Sequence, residues 1–443
     1  MSDAIPLPPR PHLGAYKKLA KDLQKACKAK DPGAIGDWAA RWMRSIARLH
    51  GSDVPIESRG RWLEFATQRL VRRWREAAKV NRHAARCALA GAQLFVAREH
   101  GFASWPRFAR HVEGLVRARS PVSAFEAAAD AIVRGDTATL DRLLKADPEL
   151  VRARSTREHR STLLHYVSAN GIEDFRQKTP KNVVEITKRL LDAGADVKAE
   201  SDAYGGRSTT LGLAATSCHP EEAGVQIPLL ELLIDRGAAI DGPDGGSAVN
   251  GCLHNGRGDA AEYLARRGAR LDLEGAAGVG RLDVVRTCFT KGDRLRPPAT
   301  KQQMKDGFSW ACEFGRTNVV EFLLRAGMDV RATLKHDGQT GLHWAAYGGH
   351  AGVVELLLRR GAPIDVKDES YGGTPLEWAL YAWGNSAVLA ERGDHYRAVA
   401  LLSRAGARLD PRWHADDEER TDARKRVSSD PKMQAALRGE AAS

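Results

Sequence analysis

Gly338-Gln339-Thr340-Gly341-Leu342-His343-Trp344-Ala345-Ala346-Tyr347-Gly348-Gly349-His350 is followed by Val353-Val354-Glu355-Leu356-Leu357-Leu358 and closed by Gly361-Ala362-Pro363-Ile364-Asp365. Leu342, Ala345 and Ala346 share one face at helical spacing, and 353–358 carries a wider apolar stripe. The spacing predicts two short helices joined by a tight turn. Neither buries its stripe alone, so such a pair must stack on copies of itself. Gly349 and Gly361 fall where the two helices end, in the left-handed backbone that glycine adopts at least cost.

The copies are present on both sides of this stretch. The Gly-Ala exit recurs at Gly194-Ala195, Gly237-Ala238, Gly268-Ala269 and Gly406-Ala407, with Gly327-Met328 as a variant. A second glycine precedes the exit at the same offset: Gly256 for Gly268, Gly315 for Gly327, Gly349 for Gly361. Aligned turns read Thr162-Leu163-Leu164-His165-Tyr166, Thr209-Thr210-Leu211 and Thr374-Pro375-Leu376-Glu377-Trp378-Ala379. About eight units fit between 122 and 410. A unit near 273–292 has Gly275, Gly278 and Gly280 in or beside its first helix, where interior glycines weaken a helix. Three units carry insertions between their helices, at 175–181, 217–226 and 384–395, all at the same point of the repeat.

The pattern resembles the ankyrin repeat: the G-x-T-x-L-H-x-A-A-x-x-G-H start, the V-V-x-L-L-L second helix and the G-A-x-I-D exit, with Gly341 where the family has proline. The resemblance implies an all-α solenoid whose β character is confined to short turn hairpins. It implies non-catalytic protein recognition, and a structural role for His165 and His343 in the turn. It also places contact residues before the T-x-L-H turn and after the A-A pair. On this chain those are His336, Asp337, Gln339 and Tyr347; Ser370, Tyr371 and Tyr381; Glu313 and Phe314; and His254 and Asn255. Trp310, Trp344 and Trp378 share one column of the repeat, where the family keeps a framework leucine, so a core position is expected for them.

The first region differs. Tryptophans cluster in 38–105 and again in 310–413, with none between. Residues 1–120 hold 24 Lys+Arg against 10 Asp+Glu, whereas 121–443 holds 44 against 46, so the net +12 originates in the first region. Apolar residues at helical spacing predict helices over 16–30, 35–46, 62–79, 84–100 (with a break at Gly91) and 104–119. The expected organisation is a proline-rich segment 1–11, a basic helical module 12–120, the repeat array 121–410 and a polar tail 411–443. Leu7-Pro8-Pro9-Arg10-Pro11 and Ala92–Phe108 resemble stretches of bacterial proteins that carry ankyrin arrays.

Arg59, Arg61, Arg69, Arg72, Arg73, Arg75, Lys79, Arg82 and Arg86 form a basic run in which Glu64 and Glu76 are the acids. Cations at this density suit phosphates, so nucleic acid is the alternative partner. A solvated face, or acidic neighbours within the chain, is favoured, because no helix-turn-helix, zinc-ligand or RNP-like motif accompanies the run. An enzyme with a site in the insertions is a second alternative. Cys218-His219 and Cys252-Leu253-His254 do not form the spaced pairs a zinc site needs, and no phosphate-binding glycine loop is complete. No metal and no cofactor are expected. No apolar run reaches the length of a membrane span, and 1–10 does not resemble a secretory signal. Six cysteines are too few for a disulfide scaffold, which predicts a reducing cytoplasm.

Leu356 and Leu357 should be core positions of the clearest unit. Replacing either by alanine should destabilise the protein by about 2–5 kcal/mol in denaturant melts; under about 1 kcal/mol for both would contradict the repeat assignment there.

Overall fold

The computed structural model describes residues 4–29, 31, 33–49, 56–117, 119–242, 245–291, 293–333, 338–385, 393–414 and 418–440. Its chain forms two compact units, Met1–Pro243 and Asp244–Ser443. It is mostly helical, with one two-stranded hairpin among the described residues, pairing Glu200–Ser201 with Ser208–Thr209. Among the described residues no helix is long and apolar enough to cross a membrane.

In the first unit, helices Leu13–Lys28, Ala34–Leu49, Ile56–Val80, Leu89–Glu99 and Trp105–Val116 bury the apolar faces their spacing predicted. Their core joins Tyr16, Leu23, Trp38, Met43, Leu70, Trp74, Phe95 and Phe108. The rings meet mostly at tilted angles, and some edge to face, as aromatic quadrupoles favour; Tyr16 meets Phe108 edge to face at 5.0 Å and Trp74 meets Phe95 so at 5.2 Å. The helix expected over 84–100 is instead two pieces, Arg82–Ala85 and Leu89–Glu99, separated at Cys87 with φ +48°. Gly91 is not the break. It lies where the second piece crosses the first, and a Cβ there would stand 2.4 Å from the Ala84 backbone nitrogen. Cys27 and Cys87 are disulfide-bonded, with Cα atoms 5.6 Å apart. One cross-link is not a scaffold, but it departs from the all-thiol state expected of a reducing compartment.

The same unit continues into Pro121–Arg134, capped by Ser120, whose hydroxyl accepts from the Ser123 N–H at 3.0 Å. The module joins this segment partly through apolar contacts and partly through polar ones. Phe108 and Val112 are buried, Val116 is exposed, and His111 Nδ1 lies 2.7 Å from Thr156 Oγ1.

Beneath that contact is a buried ionic cluster. Arg157 Nη1 lies 2.5 Å from Glu126 Oε1 and 2.9 Å from Glu173 Oε1, and Arg176 Nη1 lies 2.7 Å from Glu126 Oε2. Arg176 also reaches Asp130 at 2.7 Å. The first insertion, expected at 175–181, therefore supplies a structural cation. The second, at 217–226, forms the short helix Cys218–Glu222, and the Gln226 amide donates to the carbonyls of Ala214, Ala215 and Ser217. Most of the third, 386–392, lies outside the described residues.

The repeat logic is regular. The exit glycines Gly194, Gly237, Gly268, Gly327, Gly361 and Gly406 have φ between +78° and +100°, and the first-helix glycines Gly256, Gly315 and Gly349 lie between +67° and +71°. His343 and His165 are structural. Each accepts at Nδ1 from the N–H of its own Thr340 or Thr162, and places Nε2 3.2 Å from a carbonyl of the next turn, Gly373 or Ser208. Burial drives His165 down to about 4.

In the second unit the first helices Ala248–His254, Leu273–Gly278, Lys301–Glu313, Gly341–Tyr347 and Pro375–Asn385 follow one another along the stack. Gly275 and Gly278, expected to weaken their helix, serve close packing: a Cβ on Gly278 would stand 2.4 Å from Leu253 Cδ1. Residues 411–443, polar by composition, carry helices Glu418–Ser429 and Pro431–Leu437, and Ala423, Val427, Met433 and Ala436 complete the core. The Arg426 guanidinium lies over Trp383, 4.4 Å from the ring centre.

The ionic cluster yields a prediction. Burial alone would raise the Glu126 carboxyl, but the Arg157 and Arg176 guanidiniums outweigh it and hold the group at about 2, below its ordinary 4.5. That contribution is present above pH 4.5 and is lost as pH falls toward 2. Arg176→Met should destabilise the protein by about 3–5 kcal/mol near neutrality, since Glu126 and Glu173 would remain buried with one cation fewer. Adding Glu126→Gln should recover part of the loss in urea melts; a single-variant loss below about 1 kcal/mol would show the cluster to be energetically idle.

Candidate functional site

Trp310, Trp344 and Trp378 occur at equal intervals along the sequence and at equivalent places on three successive first helices. The small pairs Ala311-Cys312 and Ala345-Ala346 are buried between those helices and let them approach closely. That spacing brings the indoles into contact. Trp310 and Trp344 centre 5.9 Å apart at 61°, and Trp344 and Trp378 centre 5.3 Å apart at 77°. Tyr347 meets Trp378 at 5.7 Å, Tyr371 meets it at 6.4 Å, and His254 meets Trp310 at 5.2 Å. The column is half-buried. Its core position, expected from the repeat slot, is corrected here: each ring has one side on the framework and lines a cleft with the other.

The cleft encloses about 510 Å³, within the range of ordinary ligand sites. Of the residues expected as contacts, His254, Asn255, Glu313, Gln339, Tyr347, Tyr371 and Tyr381 line it. Phe314 does not; it packs on the start of helix Gly258–Arg266, where its ring lies 2.7 Å from where a Gly258 Cβ would stand. Ser370 lies beside the cleft in the 368–373 loop, its N–H held by Asp368 at 3.0 Å. His336 and Asp337 lie outside the described residues. Arg257, Glu377 and Trp413 also line the cleft; the sequence reading omitted all three. Trp413 comes from beyond the last exit glycine, where the repeat pattern carries no information.

The walls are fixed by hydrogen bonds. Trp310 Nε1 donates to Glu274 Oε1 at 3.0 Å, and His254 Nε2 lies 2.5 Å from the same oxygen, which raises the imidazole above its ordinary value. Trp378 Nε1 donates to Asp368 Oδ2 at 3.0 Å. Asp368 also accepts from the N–H groups of Tyr371 at 2.7 Å and Gly373 at 2.8 Å, so it folds the loop that presents Tyr371. Glu377 accepts from the N–H groups of Thr374 at 2.9 Å and Asp410 at 3.2 Å.

Two polar groups on the cleft wall are unsatisfied among the described residues. Trp344 Nε1 has no acceptor, and Glu313 Oε2 has no donor. Glu313 is 8% exposed, and burial pushes its carboxyl up to about 8, with Arg257 opposing.

Residues 308–410 match the family model for ankyrin repeats (3 copies). The ankyrin repeats of this stretch carry Trp310, Trp344 and Trp378, and such repeats are generally protein–protein interaction modules. The chain is thus mostly helical, with ankyrin repeats matched over 308–410 and a helical N-terminal region. Among solved structures it is similar to the human ASB11 ankyrin repeat domain, at 19% identity over 64% of this chain and 99% of that one, with a TM-score of 0.30. No curated protein matches the chain.

Elsewhere, ligand atoms of Cys218, His219 and Glu222 lie within 4.8 Å of one another. Glu222 joins the Cys-His pair because one helical turn brings residue i+4 close to residue i in helix Cys218–Glu222. The three residues are only partly buried or exposed, and nothing else in their surroundings points to a metal.

Glu313 makes the wall testable through stability. Its folded value of about 8 exceeds its ordinary 4.5, so the fold prefers the neutral acid and loses stability as pH rises from 4.5 to 8. Glu313→Gln should melt higher than the parent, by a margin that grows across that range. A margin independent of pH, or one that shrinks, would contradict the burial argument.

Proposed function

We propose that this chain is a non-catalytic protein-recognition module and that the tryptophan-lined cleft of 253–413 is its binding face. The carrying observation is the column Trp310, Trp344 and Trp378, half-buried and facing one cleft with Tyr347, Tyr371 and Tyr381 around it. Tyr371 is 65% exposed and Tyr381 is 42% exposed. The ring faces left in contact with water do little for folding. They supply binding area at small loss of side-chain freedom, as in interface hot spots.

The alternatives gain less support. Within the basic run Arg73 pairs with Glu99 at 3.1 Å and Lys79 with Glu76 at 2.6 Å. That fits the reading of a helical face balanced by acids of the same chain over a nucleic-acid surface. The insertion at 175–181 is occupied by the Arg176 ion cluster, which has a structural use. A cytoplasmic setting and a bacterial source stay with the sequence argument, and the Cys27–Cys87 disulfide weighs against the first.

The test is selection of a random peptide library on the full chain, repeated on the Trp344→Ala, Tyr371→Ala, Tyr381→Ala triple variant after circular dichroism shows its helical content unchanged. Selected peptides should bind the parent and lose at least about tenfold in affinity on the variant, a change of about 1.4 kcal/mol. Peptides that bind both proteins equally would place the recognition face elsewhere.

A further inference from the structure

We infer that the cleft captures a peptide segment through a basic side chain, arginine or lysine, laid against the tryptophan column and paired with Glu313. This rests on the cleft being the binding face, and names what it binds.

Glu313 is the first support. A buried carboxyl with an unpartnered oxygen is unfavourable whether charged or neutral. In the free protein Glu313 Oε2 has no donor, although the residue is over nine-tenths buried and lines the cleft. A ligand that brings N–H donors and a positive charge satisfies it on both counts.

The aromatic wall is the second. Tryptophan faces attract cations more strongly than tyrosine or phenylalanine, and more so where water is excluded. The outer two indoles also donate to carboxylates, Trp310 to Glu274 and Trp378 to Asp368. Such bonds polarise the rings and make their faces more negative. The cleft lining itself holds two acids, Glu313 and Glu377, and two bases, His254 and Arg257, so the preference for a cation comes from the indole faces and the unpartnered Glu313 oxygen and not from net charge.

The middle indole is the third. Trp344 Nε1 has no acceptor, unlike its two neighbours in the column. A peptide carries a carbonyl beside its side chain and supplies that acceptor; a free ammonium ion does not.

The ionisable groups facing Glu313 set the proton count. Arg257 comes from the turn after helix Ala248–His254, and Tyr347 comes from helix Gly341–Tyr347. The His350 ring hydrogen-bonds the Glu313 backbone and is held neutral by burial, at about 4. Burial holds the Tyr347 hydroxyl and the His350 ring in their neutral forms, so a cation arriving at Glu313 should displace the carboxyl proton. His254, raised by Glu274 on the same cleft, keeps its contribution in Glu313→Gln and is separated by that variant.

The experiment is isothermal titration of the full chain at neutral pH with capped pentapeptides, glycine at four positions and the central residue varied. Arginine or lysine at the centre should bind at least about tenfold tighter than citrulline, norleucine or glutamate. Titration in buffers of different ionisation enthalpy should show proton release on arginine-peptide binding. Glu313→Gln should abolish both the tenfold preference and the Glu313 share of the proton release while melting no lower than the parent. Citrulline binding as tightly as arginine, glutamate binding tighter, proton release unchanged in Glu313→Gln, or no measurable arginine-peptide binding up to about 10 mM would each overturn the inference. Library peptides that need the cleft but carry no basic residue would also overturn it and leave the recognition reading intact. Library peptides indifferent to the cleft variant would remove both.

Discussion

The second unit depends on how closely its first helices approach. Ala276-Ala277, Ala311-Cys312, Ala345-Ala346 and Ala379 are all buried and small, and Gly278 admits Leu253 where a Cβ would collide. A solenoid is held by contacts between neighbouring units, so the size of these side chains sets the rise of the stack. That rise decides how far apart equivalent residues of successive units stand. Indoles on one column then meet at 5.3–5.9 Å, edge to face. The aromatic wall is a consequence of the small-residue seam behind it.

Core packing and the proposed recognition draw on different sides of the same helices. The seam side carries the apolar burial. The cleft side carries groups that the fold alone does not satisfy, namely the buried Glu313 carboxyl and the Trp344 indole N–H. The contrast with the first unit is informative. There, Glu126 and Glu173 are equally buried, but Arg157 and Arg176 meet them, and both carboxyls are driven down instead of up. The first cluster is matched within the chain; the Glu313 carboxyl oxygen on the cleft wall is not matched among the described residues, and the proposed ligand would supply its partner.

Much of this was legible in the sequence. The glycine offsets, the T-x-L-H turn and the V-V-x-L-L-L stripe are local signals, and they place the exit glycines and structural histidines where the structure has them. Seven of the eleven positions expected from the repeat pattern line one cleft, because the stack carries equivalent residues to one face; Phe314 and Ser370 do not, and His336 and Asp337 lie outside the described residues. Three things were not legible. The tryptophan column was expected in the core, since a periodic large apolar residue has the same spacing whether it faces the seam or the cleft edge. The Arg157–Glu173–Arg176 cluster joins residues outside the repeat consensus, and only the folded path of the insertion brings them to Glu126. The Cys27–Cys87 pair is 60 residues apart in sequence, so no local pattern announces it.

The most direct measurement of the central claim is the set of tryptophan indole ¹H–¹⁵N resonances, assigned by single Trp→Phe variants and followed as a selected peptide is added. If the cleft is the binding face, Trp310, Trp344 and Trp378 should shift together. Trp344 should shift most, as its N–H gains an acceptor, while Trp38, Trp42 and Trp74 stay in place. Saturating peptide that leaves the Trp344 resonance unmoved, or that moves only the tryptophans of the N-terminal module, would contradict the account.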